Sequence, residues 1–434
     1  MIPIYDVPTA QASILKRQPP DEFEVTESVL AGIERRFGER LSPEEAVRKV
    51  LKEVRQSGDA ALREWTKKID GFDLADFRVP EGQITRAKSR VSSEVCAALE
   101  FAADRIRNFH QRQPAISWID SQPEGILGQL VRPIERVGVY VPGGTAPLPS
   151  TLLMTAIPAQ VAGVKDIIVC TPSANDVILQ AAATIGVTQI YTLGGAQAVA
   201  AMAYGTETVP KVDKIVGPGN LFVTIAKRMV YGTVGIDGLL GPTETLVIGD
   251  DGSNAQLAAA DLLAQAEHDV LASAILLTPS RNFAEKVKTA VADRVHKLER
   301  AEILRESLTN RSGIVVVDNL QQAFELANAY APEHLCLLLE DAYQWVGSVQ
   351  HAGGVFLGEQ SYEVLGDYVA GPSHSMPTGG SARFGSPLNV LDFVKIVSLI
   401  GLKNSAELSQ QAAVLARSEQ LTAHAAAAEA RIKE

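Results

Sequence analysis

Arg136-Val137-Gly138-Val139-Tyr140-Val141-Pro142-Gly143-Gly144 is where this 434-residue chain changes character. Upstream, apolar residues recur at helical spacing. Here residues 137–141 read as a strand, halted by a proline and two glycines. Helix 152–162, strand 166–170, helix 177–185, strand 189–193, helix 196–203, strand 214–216 and helix 220–231 then follow in turn. Strands alternating with helices of this length predict βαβ crossovers and a mainly parallel sheet. A second series repeats the pattern, with strands at 245–248, 274–277, 314–317, 335–339 and 353–357. Helices at 254–267, 282–306, 320–330 and 342–349 separate them. The expected fold class is α/β, with two Rossmann-like parallel-sheet domains.

On either side the pattern is helical. Residues 1–30 are Pro-rich and polar and read as an arm lying on something else. Ser42-Pro43-Glu44-Glu45 is an N-cap with Pro at the first helical position and Glu three residues after the cap. Val47, Val50, Leu51 and Val54 share one face of that helix, and Gly58 closes it. A short helix carries Leu62, Trp65 and Ile69, and a longer one over 93–112 carries Val95, Leu99, Ala102, Ile106 and Phe109. This opening third reads as helical and structural. Residues 361–386 form a Gly/Ser/Pro loop too long for a passive connector. Residues 391–400 are apolar. The stretch 406–433 is an Ala-rich helical tail with little apolar stripe, which calls for a partner surface such as another subunit.

Composition narrows the function. Apolar content of 46% and charged content of 21% fit a soluble globular protein. A net charge of −11 argues against nucleic acid or an anionic membrane as the main partner. No apolar run approaches the roughly 18 residues of a membrane span. Residues 1–21 lack a basic start followed by an apolar stretch, so no secretory signal is expected. Cys96, Cys170 and Cys336 have no CxxC spacing, which suits buried thiols in a reducing cytoplasm.

Candidate chemistry clusters in a few places. Pro142-Gly143-Gly144, Gly194-Gly195-Ala196-Gln197 and Gly217-Pro218-Gly219-Asn220 fall at the carboxyl ends of strands, where parallel sheets bind ligands. They admit a phosphate-bearing ligand, or are simply tight turns needing φ > 0. No GxGxxG occurs. Glu333 and His334 stand side by side after Pro332, at the mouth of the 335–339 strand, where they can pass protons near neutral pH. Gln265 and His268 lie three apart on one helical face, with Glu267 and Asp269 adjacent. Asp367 and His374 stand in the long loop, and His424 in the tail, five residues after Glu419. Nitrogen and oxygen donors from separate segments suit zinc, cysteine being absent, with solvated side chains as the alternative. His110, His296 and His351 read as surface residues.

Taken together, the motifs resemble histidinol dehydrogenase over nearly the whole chain. They are residues 136–144, Gly194-Gly195-Ala196-Gln197-Ala198, Lys214-Ile215-Val216-Gly217-Pro218-Gly219-Asn220, Gln265-Ala266-Glu267-His268, Ala331-Pro332-Glu333-His334-Leu335, Gly366-Asp367-Tyr368 and Pro377-Thr378-Gly379-Gly380. The resemblance implies a zinc-containing cytoplasmic homodimer that oxidises L-histidinol to L-histidine with two NAD, through a bound aldehyde. Carried over by motif, Glu333 and His334 are the acid/base pair. Gln265, His268, Asp367 and His424 are the zinc ligands, His424 coming from the partner's tail. Glu419 contacts substrate, as do the zinc ligands, His334 and Thr243. Tyr140, Gln197 and Asn220 contact NAD. The implied partition is an arm over 1–30, a catalytic α/β domain from 31–136 together with 243–385, an NAD-binding domain over 137–242, and a helical tail over 386–434 at the dimer interface.

Some residues depart from the family pattern. Gly241-Pro242-Thr243-Glu244 carries Thr where Ser is usual, residues 234–240 form a shorter segment, and Ser373 and Ser375 are atypical. These departures raise an alternative, a related NAD-dependent dehydrogenase of another amino or sulfonated alcohol. A non-catalytic metal-binding or assembly protein is disfavoured by the presence of both Glu333 and His334.

Overall fold

A computed structural model describes residues 2–17, 25–143, 147–403 and 405–432. Gly144 of the first Gly-rich turn, residues 18–24 of the arm and Lys433 of the tail lie outside the described residues. The described chain divides into two compact units, the first made of residues 1–113 and 135–393.

Two parallel sheets organise that first unit. In the five-stranded sheet, Arg136–Tyr140 lies between Asp166–Thr171 and Lys214–Val216, with Gln189–Thr192 and Gly235–Ile236 at the edges. Val137, Val139, Ile168, Val169 and Ile215 are wholly buried, as befits strands covered on both faces. The six-stranded sheet runs Ile4–Asp6, Gly313–Val316, Ser273–Thr278, Glu244–Gly249, His334–Leu338, Gly354–Leu357, and every pairing is parallel. In each sheet the first strand of the βα series is flanked by the second and the fourth, so each has a topological switch point. The N-terminal arm is part of this architecture, because Ile4 pairs with Ile314 as an edge strand.

Helix Pro43–Asp70 begins with the expected capping box and breaks at Gly58, which has φ 52° and ψ −131°. Its Val47, Val50, Leu51, Val54, Leu62 and Trp65 share a core with Tyr140, Ile168, Ala198 and Val223. Residues 43–70 therefore pack on the five-stranded sheet of 137–242, whereas the sequence partition grouped them with 243–385. An apolar stripe says that a helix is buried, not which sheet buries it. In helix Ser93–His110 the buried face is Cys96, Leu99, Ala102, Ala103, Ile106 and His110. Val95 and Phe109, expected inside, are more than a third exposed. His110, expected at the surface, is fully buried, with Nδ1 2.8 Å from Gln113 Oε1. All three cysteines are buried and free.

The second unit comprises residues 114–134 and 394–434. Val394–Leu402, Gly125–Pro133 and Trp118–Gln122 form an antiparallel sheet in that order. Helices Ala406–Ser418 and Thr422–Glu429 pack on each other, separated by Gln420 at φ 62°. The tail is helical over Ala406–Ser418 and Thr422–Glu429, but the apolar run before it is a strand. The two strands before residue 134 lie in a stretch read as helical. They escaped notice because Trp118, Ile119, Ile396 and Ile400 are 50–70% exposed, so no buried face imposes alternation. Among the described residues no helix is long and apolar enough to cross a membrane.

Candidate active site

Helix Leu320–Tyr330 ends at Ala331, which adopts a left-handed conformation with φ 52° and ψ 66°. A residue bearing Cβ takes that geometry only where its surroundings hold it. Pro332 prevents the helix from continuing, and Glu333 and His334 lead into the strand His334–Leu338. A Cβ at Gly353 would stand 2.5 Å from the Glu333 carbonyl oxygen, so only glycine lets the next strand approach. His334 is in register with Thr245. The pair thus stands at the amino-terminal edge of the six-stranded sheet, opposite to where such sheets usually bind ligands.

Both side chains are held by the start of the neighbouring strand. Glu333 Oε2 accepts the Thr243 hydroxyl at 2.6 Å and the Glu244 N–H at 3.0 Å. Burial pushes the Glu333 carboxyl up to about 7, against the lowering effects of His334, Thr243 and the Glu244 amide. His334 Nδ1 lies 3.2 Å from the Glu244 carbonyl oxygen and 3.7 Å from Glu333 Oε2. A carbonyl only accepts, so Nδ1 carries the proton and Nε2 of the neutral ring carries the free lone pair. Nε2 is buried with no hydrogen-bond partner among the described residues, 3.9 Å from Asp367 Oδ1. The imidazole is thereby set as a base aimed toward Asp367.

Asp367 is on helix Glu363–Tyr368, inside the segment read as a loop. Ligand atoms of His268, Glu363 and Asp367 lie within 4.8 Å of one another. Gln265 is fully buried, and neither of its amide atoms has a partner among the described residues. Glu363, the buried member of the group, accepts the Thr245 hydroxyl. Burial, then the Asp367 charge, raises its carboxyl well above the usual range. Asp261, on the same helix as Gln265, is pushed up to about 7 by burial and Glu359. His374 Nδ1 donates to the Asp367 carbonyl at 2.9 Å, and burial lowers its pKa. The clustered His268, Glu363 and Asp367, and the unpartnered Gln265 amide, are nitrogen and oxygen donors that a divalent cation would satisfy.

The Gly-rich rim lies at the carboxyl ends of the five-stranded sheet. Tyr140 is buried, its hydroxyl accepting the Gly195 N–H at 3.2 Å and its pKa pushed up to about 12 by burial. Gln197 is buried and donates to Asp70 Oδ2 at 2.9 Å, leaving Oε1 without a partner among the described residues. Asn220 caps helix Leu221–Val230 through Oδ1, with N–H donors at 3.1 and 3.2 Å. Gly217, at φ 113°, sits so close to the Tyr140 carbonyl that a Cβ would collide with it. Glu419 and His424 are exposed residues of the second unit, at the end of one tail helix and inside the next.

Thr243, Glu333, His334, Asp367 and His268 are thus brought into one neighbourhood. Sequence reading missed Glu363, Asp70 and the part played by Glu244. Glu363 stands four residues before Asp367, a same-face spacing that a helical reading of the loop would have revealed.

A family model described as histidinol dehydrogenase matches residues 34–432. Histidinol dehydrogenase of Deinococcus radiodurans is 51% identical over 421 residues, covering 95% of this chain and 96% of that protein. The chain belongs to the histidinol dehydrogenase family. The Thermus thermophilus histidinol dehydrogenase is 50% identical over 385 residues, covering 88% of this chain and 93% of the relative. The crystal structure of histidinol dehydrogenase from Elizabethkingia anophelis superposes with a TM-score of 0.91 at 36% identity, covering 100% of this chain and 98% of that one. An acetylating aldehyde dehydrogenase from Geobacillus thermoglucosidasius, 14% identical with a TM-score of 0.50, shares the fold alone. Within a family of oxidoreductases, the buried Glu333 and His334 and the His268–Glu363–Asp367 cluster are the chemically distinctive features.

Proposed function

We propose that the chain oxidises L-histidinol to L-histidine, the last step of histidine synthesis, reducing two NAD and consuming one water as two hydrides and three protons leave. The working form is a zinc-containing homodimer of the cytoplasm, with no nucleic-acid or membrane partner. The observation that carries the reading is His334, whose Nδ1 is committed to the Glu244 carbonyl and whose Nε2, 3.9 Å from Asp367 Oδ1, has no hydrogen-bond partner among the described residues. Gln265, His268 and Asp367 would hold the metal, completed by His424 from the tail of a second copy, with Glu419 of that tail on the substrate. Tyr140, Gln197 and Asn220 would line the NAD site. Bound zinc would supply a Lewis acid that orients the substrate, and NAD would be the hydride acceptor.

The chain's own residues then divide the proton work. His334 Nε2 takes the hydroxyl proton in the first oxidation. Glu333 takes a proton from the water that adds to the aldehyde carbon. Both of its hydrogen bonds among the described residues fall on Oε2, which leaves Oε1 for that water. His334 takes the hydroxyl proton of the hydrate in the second oxidation. Thr243 keeps a hydroxyl where serine is usual, and that hydroxyl donates to Glu333 Oε2 at 2.6 Å, so this departure lends no support to a different alcohol.

A base must be ionised, so aldehyde oxidation is expected to fall as pH drops through about 7, where Glu333 takes up its proton. The Thr243 hydroxyl lowers that pKa, so Thr243→Val should move the acid limb of the aldehyde pH–rate profile upward. A limb that stays in place or moves down contradicts the role given to Glu333.

Chelation tests the metal. Histidinol-dependent NADH formation should vanish on dialysis against a chelator and return with zinc. Activity indifferent to chelation would remove zinc from the reading. His424→Ala is expected to lower both zinc per subunit and the dimer's dissociation midpoint. The exposed Ile119, Ile400, Val414 and Leu415 of the second unit support a covered face there. Loss of neither property would separate the tail from the metal.

A further inference from the structure

Arg17 stands in the N-terminal arm, outside the matched residues 34–432, and has no assigned role. Its guanidinium forms a bidentate ion pair with Glu244, Nη2 donating to Oε2 at 2.8 Å and Nη1 to Oε1. Nε donates to the Tyr330 carbonyl at 2.7 Å, and Nη2 also donates to the Ala331 carbonyl at 3.2 Å. The guanidinium carbon lies 3.5 Å from the centroid of the Tyr330 ring. Glu244 is 6% exposed, and its Oε1 also accepts the Gly379 N–H at 3.0 Å.

The hydrogen bonds of Arg17 among the described residues all bear on the acid/base pair. Glu244 holds Glu333 through its backbone N–H and His334 through its carbonyl. Tyr330 and Ala331 form the strained helix end that delivers Glu333 two residues later. One planar fork therefore pins both walls of the pair, the start of strand Glu244–Gly249 and the turn before His334–Leu338. An ammonium offers no such geometry, since a lysine cannot serve a carboxylate in bidentate fashion and two carbonyls at fixed angles together. A buried Glu244 without its partner would be an uncompensated charge beside Glu333, and its segment would shift to reach solvent.

We infer that Arg17 is a positioning residue for the reaction, fixing the acid/base pair Glu333–His334 through Glu244 and the Tyr330–Ala331 carbonyls. The inference rests on the roles proposed above for Glu333 and His334, but its test is arranged to fail separately. A displacement on the order of 1 Å at reacting groups costs about 10²-fold in rate, and the proposed metal ligands Gln265, His268 and Asp367 stand on other segments. The loss should therefore fall on kcat.

The experiment uses the full-length zinc-loaded protein, with Arg17→Ala and Arg17→Lys beside the parent. Expected for Arg17→Ala are a kcat lower by about 10²-fold, KM for NAD within about twofold, unchanged zinc content, and recovery of about tenfold on adding guanidinium chloride. Guanidinium should not rescue His334→Asn. If Arg17→Ala does not fold, Arg17→Lys decides, with about a tenfold loss of kcat at unchanged KM expected. A folded Arg17→Ala with kcat within about twofold of the parent overturns the inference. So does a loss that guanidinium cannot repair and that falls together with zinc content and Tm, which marks a purely structural ion pair. If the parent itself leaves histidinol unoxidised, the proposed function fails, and the His334 imidazole NMR signal still tests Arg17. That signal, assigned against His334→Asn, should move in Arg17→Ala and return with guanidinium. An unmoved signal overturns the inference.

Discussion

His334→Asn is expected to stop both oxidations, lowering kcat by about 10⁴-fold, near the upper end of what general-base catalysis contributes. The reason is local. Nδ1 is committed to the Glu244 carbonyl, so the side chain's only basic atom is Nε2, which is buried and unpartnered among the described residues. Asparagine can renew a hydrogen bond to that carbonyl but brings no atom able to take a proton at neutral pH. The measurement is single-turnover NADH formation from L-histidinol and, separately, from the aldehyde. Loss in both half-reactions, with zinc content retained, is the expected result. If only one half-reaction falls, a second base serves the other.

Glu333→Gln should act differently, lowering aldehyde oxidation by about 10²–10⁴-fold while leaving the first oxidation within about tenfold. The carboxyl stands near neutrality because burial opposes its charge, which suits a group that must take a proton from water and later release it. Glutamine keeps the shape and still accepts from Thr243 and the Glu244 N–H through its amide oxygen, so the local fold should survive. The variant should release about one NADH quickly and then stall at the aldehyde, seen as a burst followed by a slow phase. Equal losses in the two half-reactions would remove the division of labour between Glu333 and His334.

Much of this arrangement could be read from the chain. Continuously apolar runs bounded by Gly and Pro marked the parallel strands, since strands covered on both faces must be apolar throughout. Ser42 and Glu45 announced their helix, and Gly58 its break. What escaped the sequence was relational. The stripe of residues 43–70 reads the same against either sheet, and only the packing of Trp65 and Val54 beside Tyr140 and Ile168 assigns it. The strands at 118–122 and 125–133 present apolar residues to solvent, so no burial pattern marks them. At the site, Glu333 and His334 stood out as an adjacent acid and imidazole after Pro332, Gln265 and His268 as a same-face pair, and Asp367 through the family motif Gly366-Asp367-Tyr368. Glu363 and Arg17 did not, because a lone carboxylate in a Gly/Ser loop and a lone arginine in a polar arm look like ordinary surface charges. Their importance comes from partners far off in sequence, Thr245 for the one and Glu244 for the other.

The stoichiometry of the purified protein tests the central claim most directly, as NADH formed per molecule of L-histidinol consumed at completion. Two NADH, with L-histidine as the product, is the result expected of His334 serving twice with Glu333 between. One NADH with aldehyde released, or no turnover by the zinc-loaded dimer, would contradict it.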